Sequence, residues 1–347
     1  MASVPKPSVA DRQELYRRMD RHNLAPLWEV LHALIPNEPV TPCKAALWKY
    51  KEARPYLMEA GKLITAKEAV RRVLILENPG MRGQSCVTQS LYAGLQLILP
   101  GEIAPSHRHT QSALRFVVEG TGAYTAVDGE RTTMRPGDFI ITPSWTWHDH
   151  GHPGDEPVVW LDGLDIQTVQ TFGAQFQENY HEEVQPVTKG EGSSSARFGA
   201  NLAPLGAVPP FGKTSPLFNY PYSRSREALA RLAKDGEPDA CHGWKMQFIN
   251  PTTGGPAMPT IGAFIQLLPK GLRTQPCRST DGTVYSVVEG TGRAQIGGQT
   301  FAFEPRDVFV VPSWQPLVLE ADSETVLFSF SDRPAQQALG LWRERRG

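Results

Sequence analysis

Three histidines are spaced so that they could hold a metal ion. His107 and His109 stand two residues apart in the segment Pro105-Ser-His-Arg-His, and His148 follows from a later predicted strand. Successive residues of a β-strand point to opposite faces, so His107 and His109 face the same way. A third imidazole from a neighbouring strand would complete a three-histidine site for a divalent metal ion, and this is what the spacing predicts.

The chain contains two copies of one unit, and the second copy lacks these histidines. Segments 97–101, 116–122 and 139–145 recur as 267–271, 286–292 and 309–314. When the copies are aligned, His107, His109 and His148 fall opposite Cys277, Ser279 and Leu317. Residues kept in both copies are expected to serve the shared fold, whereas residues found in only one copy are expected to serve the chemistry of that copy. This comparison predicts a metal site in the first copy only.

The same comparison weakens several polar residues as functional candidates. Glu119, Asp138, Trp145 and Gln96 recur as Glu289, Asp307, Trp314 and Gln266. Because the second copy keeps these residues without the histidines, a role in the fold is favoured for them.

Arg115 and Asp162 differ between the copies and remain candidates. Arg115 lies opposite Tyr285 in the alignment, and Asp162 lies opposite Phe330. An arginine facing the interior of a barrel requires an anionic partner, so Arg115 is expected to bind an anionic ligand, to pair with Asp162, or both. A purely structural ion pair is the alternative.

His150 and His152 share the strand parity of His148. One of them is expected to lie beside the metal without binding it. A solvent-facing strand end is the alternative for both.

Composition excludes some classes of function. The chain has 347 residues and a formal net charge of −1, which gives no general attraction to nucleic acid or to an anionic membrane. Its four cysteines form no Cys-x-x-Cys pair, so neither a disulfide framework nor a thiolate zinc site is indicated. With no signal sequence or long apolar run, a soluble cytoplasmic protein is expected.

The elements that must position the histidines are short strands separated by Gly-containing turns, which predicts a mostly β protein of two barrels. Ser8 is placed to cap a first helix together with Asp11. The expected organisation is an N-terminal helical arm (1–69), a metal-binding barrel (70–185), a linker with a short helix (186–242), a degenerate metal-free barrel (243–333) and a C-terminal tail (334–347).

Two motifs give the chain a family resemblance. Gly101-x5-His107-x-His109, followed by Gly120, and Gly137-x5-Pro143-x-Trp145-x2-His148 resemble the two cupin motifs. The duplication makes the chain similar to a bicupin, with two double-stranded β-helix (jelly-roll) barrels. With its helical extension and ligands in the first barrel only, it resembles the gentisate 1,2-dioxygenases and their relatives that act on salicylate or 1-hydroxy-2-naphthoate.

One departure from the general cupin pattern bears on the substrate. The glutamate expected three or four residues after His109 is absent, since Ala113 and Leu114 occupy those positions. Three neutral imidazoles would leave the full charge of a divalent ion for the substrate to neutralise. An aromatic ortho-hydroxy carboxylate supplies two negative charges and a chelate, and leaves a position for dioxygen.

The resemblance implies one Fe(II) per chain, bound by the three histidines, and a homotetramer. It also implies that Arg115 and Arg71 grip the substrate carboxylate, although the sequence does not choose between Arg71 and Arg72. Residues implied near the substrate or dioxygen are Gln96, Tyr92, His150 and Asp162, with proton transfer assigned to His150.

The expected reaction is cleavage of gentisate by dioxygen to maleylpyruvate. Salicylate and 1-hydroxy-2-naphthoate are the alternative substrates. From other classes of function, a metal-dependent cupin isomerase and a non-catalytic ligand-binding bicupin remain open.

Overall fold

The computed structural model describes residues 8–347, which form two compact units, residues 8–40 and 41–347. The first unit contains helices α1 (Val9–Asp20) and α2 (Leu27–Leu34). Ser8 caps α1 as predicted, since its hydroxyl accepts a hydrogen bond from the Asp11 amide and the Asp11 carboxylate accepts one from the Ser8 amide.

The second unit begins with a connecting region and the first barrel. The connecting elements are β1 (Ala46–Trp48), α3 (Tyr50–Leu63) and α4 (Ala66–Ala69). The first barrel contains β2 (Val73–Ile75), β3 (Tyr92–Ile98), β4 (Ile103–His109), β5 (Ala113–Glu119), β6 (Tyr124–Val127), β7 (Glu130–Thr133), β8 (Phe139–Thr142), β9 (His148–Gly151), β10 (Val158–Leu164), α5 (Ile166–Thr171) and β11 (Gln177–Asn179).

The remainder forms a linker and the second barrel. The linker contains α6 (Ser193–Phe198), β12 (Asn219–Tyr220) and α7 (Tyr222–Leu232). The second barrel contains β13 (Trp244–Gln247), β14 (Gly262–Leu268), β15 (Cys277–Ser279), β16 (Thr283–Glu289), β17 (Gly292–Ile296), β18 (Gln299–Phe303), β19 (Val308–Val311), β20 (Leu317–Ala321), β21 (Thr325–Ser331), α8 (Arg333–Ala338) and β22 (Glu344–Arg346).

Each barrel consists of a six-stranded and a five-stranded sheet, which confirms the predicted bicupin. In the first barrel the strand orders are β12-β8-β5-β10-β3-β2 and β11-β4-β9-β6-β7. In the second they are β1-β19-β16-β21-β14-β13 and β18-β17-β20-β15-β22. Three strands come from outside the repeats: β1 precedes the first barrel, β12 lies in the linker and β22 in the C-terminal tail.

The two barrels share one hydrophobic core. The outer faces of the six-stranded sheets contribute alternate residues to it, and Phe116 of β5 stacks on Phe328 of β21 with ring centroids 4.1 Å apart. Period-two alternation sends the opposite faces of the same strands into the barrel interiors. Burial at this core therefore fixes which residues of β5 and β10 face the predicted metal site.

Strand registers confirm the internal alignment around the histidines. His107 of β4 pairs with His148 of β9, and Cys277 of β15 pairs with Leu317 of β20 in the same way.

The alignment of Asp162 with Phe330 was wrong. Asp162 pairs with Arg115, whereas Tyr285, the counterpart of Arg115, pairs with Ser329. The loop before β10 is longer than the loop before β21, which shifts the equivalence by one residue.

Within residues 8–347, no helix combines the length and apolar character needed to cross a bilayer.

Candidate metal centre and substrate pocket

The three predicted histidines come together inside the first barrel. Antiparallel pairing of β4 and β9 sets His107 directly across from His148, and the two-residue spacing brings His109 to the same face. Their ring centroids lie 4.4 Å (His107 to His148), 4.9 Å (His109 to His148) and 5.3 Å (His107 to His109) apart. One nitrogen of each ring lies within 4.8 Å of the others, a spacing that suits a shared metal ion.

Backbone contacts orient all three rings. Each Nδ1 atom faces a main-chain oxygen two residues away, at 3.2 Å (His107 to Pro105), 2.8 Å (His109 to Gln111) and 2.9 Å (His148 to Thr146). An Nδ1–H that donates to a carbonyl leaves the lone pair on Nε2. Nε2 is therefore the available ligand atom of His109 and His148, whereas His107 Nδ1 lies between the Pro105 carbonyl oxygen and Arg71 Nη2.

Burial keeps these imidazoles neutral. Loss of hydration lowers the pKa of His107 to about 3 and that of His109 to about 4, with further contributions from the nearby arginines. The fully buried His148 has its pKa lowered well below the ordinary value, for the same first reason. All three side chains are thus neutral at neutral pH, and each has one ring nitrogen with a lone pair for a metal ion, as metal binding requires.

Arg115 and Asp162 lie side by side in the interior of the barrel. Cross-strand pairing places them opposite each other, with Arg115 Nε 3.7 Å from Asp162 Oδ1. Arg115 donates from Nη1 to Thr142 Oγ1 at 2.6 Å, and Trp160 Nε1 donates to Asp162 Oδ1 at 2.9 Å. Arg115 Nε is buried without a hydrogen-bond partner among the described residues. A buried donor of this kind fits an anionic ligand.

Burial also makes the Asp162 carboxyl group titrate near neutrality. Loss of hydration raises its pKa to about 6, against the opposing attraction of Arg115. The pocket therefore contains a carboxyl group whose charge depends on pH in the physiological range.

Arg71, and not Arg72, reaches the histidines. Arg71 Nη2 donates to the Pro105 carbonyl oxygen at 2.7 Å and lies 2.5 Å from His107 Nδ1. Arg72 forms an ion pair with Glu102 at 2.7 Å. Burial lowers the pKa of Arg71 to about 9, so the guanidinium remains charged at neutral pH.

The turn that directs Arg71 is strained. Val70 has φ 55 and ψ −48, a backbone conformation that β-branched residues rarely adopt. Strain held next to a site is a feature of positions that orient functional groups.

His150 is buried with one nitrogen free. Its Nδ1 atom lies 2.9 Å from Thr125 Oγ1, and its Nε2 atom has no hydrogen-bond partner among the described residues. The ring centroid lies 6.0 Å from that of His148. His152, the other candidate, instead contacts the Glu156 carbonyl oxygen and belongs to the loop before β10. Of the two, His150 has the free polar atom beside the metal centre.

Tyr92 and Gln96 lie on the interior face of β3. Gly94 between them pairs with Asp162, and Gln96 pairs with Trp160. A Cβ atom on Gly94 would approach Tyr92 Oη to 2.9 Å and a Val73 methyl group to 2.4 Å, so glycine makes room for the tyrosine. Gln96 is buried and lines a small cavity with Val70 and Glu102, and the three histidines are not part of that lining.

Two positioning residues were missed by the sequence analysis. Thr142 holds Arg115, and Thr125 holds His150. Strand registers place Val311 and Ala294 at the corresponding positions of the second barrel, so both residues differ between the copies. The comparison of the two copies, which identified the histidines, could therefore have identified these two threonines as well.

Known proteins resemble this chain over its full length. The cupin domain family matches residues 94–164. Gentisate 1,2 dioxygenase 1 of Aquipseudomonas alcaligenes is 58% identical over 347 residues, which cover 100% of both chains. A crystal structure of a salicylate 1,2-dioxygenase from Pseudaminobacter salicylatoxidans superimposes with a TM-score of 0.91 at 33% identity, covering 99% of each chain.

A structure of salicylate 1,2-dioxygenase adducts with gentisate gives a TM-score of 0.92 at 34% identity, covering 99% of this chain and 96% of the other.

Proposed function

This chain belongs to the gentisate 1,2-dioxygenase family of ring-cleaving bicupins, and we propose that it cleaves gentisate (2,5-dihydroxybenzoate) with dioxygen to give maleylpyruvate. Cleavage falls between the carboxyl-bearing carbon and the adjacent hydroxyl-bearing carbon, and both oxygen atoms enter the product. A full-length relative at 58% identity carries the gentisate 1,2-dioxygenase name, which supports the choice of substrate.

One observation carries the proposal: three neutral imidazoles, with no carboxylate ligand among them, lie beside the buried Arg115 and the partly buried Arg71. Asp162 is the nearby carboxyl group, and it faces Arg115. A divalent ion in this setting leaves an excess of positive charge. An ortho-hydroxy carboxylate provides the negative charge and the two oxygen ligands that balance it.

Fe(II) is the metal that fits this reaction, one ion per chain on His107, His109 and His148. The donor set of imidazole nitrogens, with neighbouring positions open, suits Fe(II). When bound, iron supplies the one-electron chemistry that lets dioxygen react with an aromatic ring.

The arginines select and orient the substrate. Arg115 offers the unpartnered Nε and the remaining guanidinium edge to a carboxylate, and Arg71 adds a second positive charge beside His107. A planar guanidinium binds a carboxylate through two parallel hydrogen bonds, which fixes the plane of the ring. A ring held in this way would lie on the side of the barrel interior that carries the three histidines.

We assign proton transfer at the edge of the substrate ring to His150 and Asp162. Thr125 holds His150 through Nδ1, which leaves Nε2 to exchange a proton with a ring hydroxyl or a reacting oxygen. Asp162 holds Arg115 in place from the opposite strand. Tyr92 and Gln96 complete the interior wall on β3.

Oxygen uptake by iron-loaded protein tests this function. Gentisate and salicylate are supplied separately under the same conditions, and the ultraviolet absorbance of each ring-cleaved product is followed. We expect rapid uptake with gentisate and a lower kcat/KM with salicylate, since the second ring hydroxyl makes the ring easier to oxidise. Well-loaded protein that consumes no oxygen with gentisate would exclude the proposal, and a preference for salicylate would reassign the substrate.

We also propose a homotetramer that buries the apolar face of α2. Leu27, Leu31 and Leu34 share one face of this helix and are 54%, 39% and 64% exposed. Apolar side chains clustered on one helix mark a surface that is covered by another chain. Light scattering measures the mass directly, and a mass of one chain at micromolar concentration would refute the assembly.

A further inference from the structure

The second barrel has a cluster of metal-binding side chains where the first barrel has its histidines. Cys277 occupies the strand position of His107, across from Leu317 as His107 is across from His148. His242 and Glu344 lie beside it, and one donor atom from each of the three residues lies within 4.8 Å of the other two. The cluster is therefore a counterpart of the first site with different donors.

Segments outside the repeat supply two of the three donors. The loop that enters β13 brings His242 to Cys277, with Nε2 4.0 Å from Sγ. The tail strand β22 pairs with β15 and sets Glu344 opposite Ser279, the counterpart of His109. Glu344 Oε2 lies 3.8 Å from His242 Nε2. This origin explains why the alignment of the two copies predicted a metal-free barrel.

The distances between donor atoms fit a small tetrahedral ion. Zinc bonds of about 2.3 Å to sulfur and about 2.0 Å to nitrogen, at tetrahedral angles, separate these two donors by about 3.5 Å. The separation of 4.0 Å between Cys277 Sγ and His242 Nε2 exceeds this by half an ångström. Glu344 Oε2 lies 3.8 Å from His242 Nε2, and an oxygen of Glu344 lies within 4.8 Å of Cys277 Sγ, so binding draws the three donors closer together.

Hydrogen bonds hold two of these donors, His242 and Glu344, in place. Asp239 Oδ1 accepts hydrogen bonds from the Cys241 and His242 amides at 2.9 and 3.0 Å, and Asp239 Oδ2 accepts one from Arg346 Nη1 at 2.7 Å. Arg346 Nε donates to Glu344 Oε1 at 2.6 Å, which leaves Oε2 toward His242. The loop and the tail are thus tied to each other at the site.

We propose that Cys277, His242 and Glu344 bind a thiophilic divalent cation, with Zn²⁺ as the expected occupant. Two of the donors, Cys277 and His242, border a cavity of about 30 Å³, room for one ion. On binding, zinc takes the place of the Cys277 thiol proton, which is released to water. The thiolate and the carboxylate then supply two negative charges to the ion, the carboxylate through the oxygen that does not pair with Arg346. The Cys241 thiol, which interacts with Cys277, is the remaining sulfur donor in the cavity.

This charge balance distinguishes the two barrels. Three neutral imidazoles leave the first site open to an anionic substrate, whereas a thiolate and a carboxylate neutralise an ion in the second. The second ion is therefore structural, and it fastens β22 and the loop before β13 to the barrel. The absence of a Cys-x-x-Cys pair did not exclude a thiolate site, because the donors come from three separate segments.

Metal analysis in a background without the first site tests the proposal. The His148→Leu variant is purified, exposed to zinc and passed through a desalting column, and the zinc content is then measured. We expect one zinc per chain. Adding Cys277→Ser or Glu344→Gln should reduce zinc to below about a tenth of an equivalent. Adding Cys43→Ser, which alters a buried thiol outside the cluster, should leave the zinc content unchanged.

Cobalt provides a readout specific for the sulfur ligand. Co²⁺ added to the same background should give a sulfur-to-cobalt charge-transfer band in the near ultraviolet, and Cys277→Ser should remove it. Thiol titration of the denatured protein should find all four cysteines free when zinc has been chelated. Absence of retained zinc overturns the proposal, and so does the finding of two free thiols, which would indicate a Cys241–Cys277 disulfide.

Discussion

Charge is concentrated on a few buried residues of the first barrel, and their pairing determines what the pocket accepts. Arg115 is 4% exposed and faces Asp162 with an imperfect contact of 3.7 Å. A fully satisfied arginine would have little to offer a ligand. The unpartnered Nε of Arg115 means that part of its hydrogen-bonding capacity is reserved for a substrate.

Replacing Arg115 should weaken substrate binding while the metal stays bound. Arg115→Met keeps the volume of the side chain and removes a charge-assisted contact of about 1.5–3 kcal/mol, so KM for gentisate should rise about 10- to 100-fold. Arg115→Lys should recover part of this loss, because lysine keeps the charge but lacks the planar fork. Steady-state kinetics with parallel iron analysis measures both effects, and unchanged KM in Arg115→Met would reject the assignment.

Asp162 predicts an acid limb in the pH profile. Burial raises its pKa to about 6, so the carboxylate takes up a proton as the pH falls through 6 and releases its hold on Arg115. We expect kcat/KM to fall with a midpoint near pH 6, and Asp162→Asn to remove this pH dependence at a low level of activity.

The contribution of Asp162 to the free energy of unfolding should change with pH in the direction opposite to kcat/KM. A carboxyl group whose pKa is raised on folding binds its proton more tightly in the folded state, so this contribution to stability increases from pH 6 toward the ordinary value of 3.8. Thermal denaturation of wild type and Asp162→Asn across this range separates the two effects. An acid limb retained in Asp162→Asn would assign it to another group.

At the scale of strands, comparing β4 and β9 with their equivalents β15 and β20 separates the residues needed for folding from those needed for chemistry. The pair β15–β20 closes with Cys277 and Leu317, so histidine is not needed for this strand contact. The imidazoles of β4 and β9 are therefore available for function, because the fold accepts an apolar side chain at the equivalent position of the second barrel.

His148→Leu should leave the fold intact and abolish iron binding. The substitution copies the second barrel at a fully buried position, so the free energy of unfolding should change by no more than about 1 kcal/mol. Iron content and gentisate-dependent oxygen uptake should both fall below about a tenth of wild type. The exposed His22→Leu serves as a control with normal iron. A variant that keeps iron and activity would remove His148 from the ligand set.

Most of the strand framework was predictable from the sequence, because the same strand pattern occurs in both copies of the repeat. The pairing of His107 with His148 followed from the motifs and the alternation of strand faces. Asp162 was misaligned because a loop length differs between the copies. The sequence analysis did not predict the roles of Glu344 and His242. The tail strand and the loop before β13 approach Cys277 only through tertiary packing, and neither segment has a counterpart in the repeat.

At the scale of the molecule, the barrels depend on one another through the core between their six-stranded sheets. Residues of both barrels alternate in this core, with Phe116 and Phe328 stacked at its centre. The opposite face of β5 carries Arg115. Packing between the barrels therefore reaches the interior of the first barrel through β5, and through β10, which carries Asp162 next to the core residue Leu161.

Phe328→Ala should destabilise both barrels together. Truncating a buried phenylalanine costs about 3–5 kcal/mol, and the shared core should transmit that loss to one common unfolding transition. Urea denaturation followed by fluorescence and circular dichroism should show a single transition at lower urea for the variant. The control Phe172→Ala, 69% exposed, should shift stability by less than about 0.5 kcal/mol. Two separate transitions with only one displaced would show that the barrels unfold independently.

The backbone carbonyls that orient the three imidazoles have an evolutionary consequence. Because each Nδ1 atom is held by a main-chain oxygen, substitutions in the pocket wall leave the direction of the three Nε2 atoms unchanged. A lineage can therefore reshape the wall for a different aromatic acid while its oxygen chemistry continues at every intermediate step.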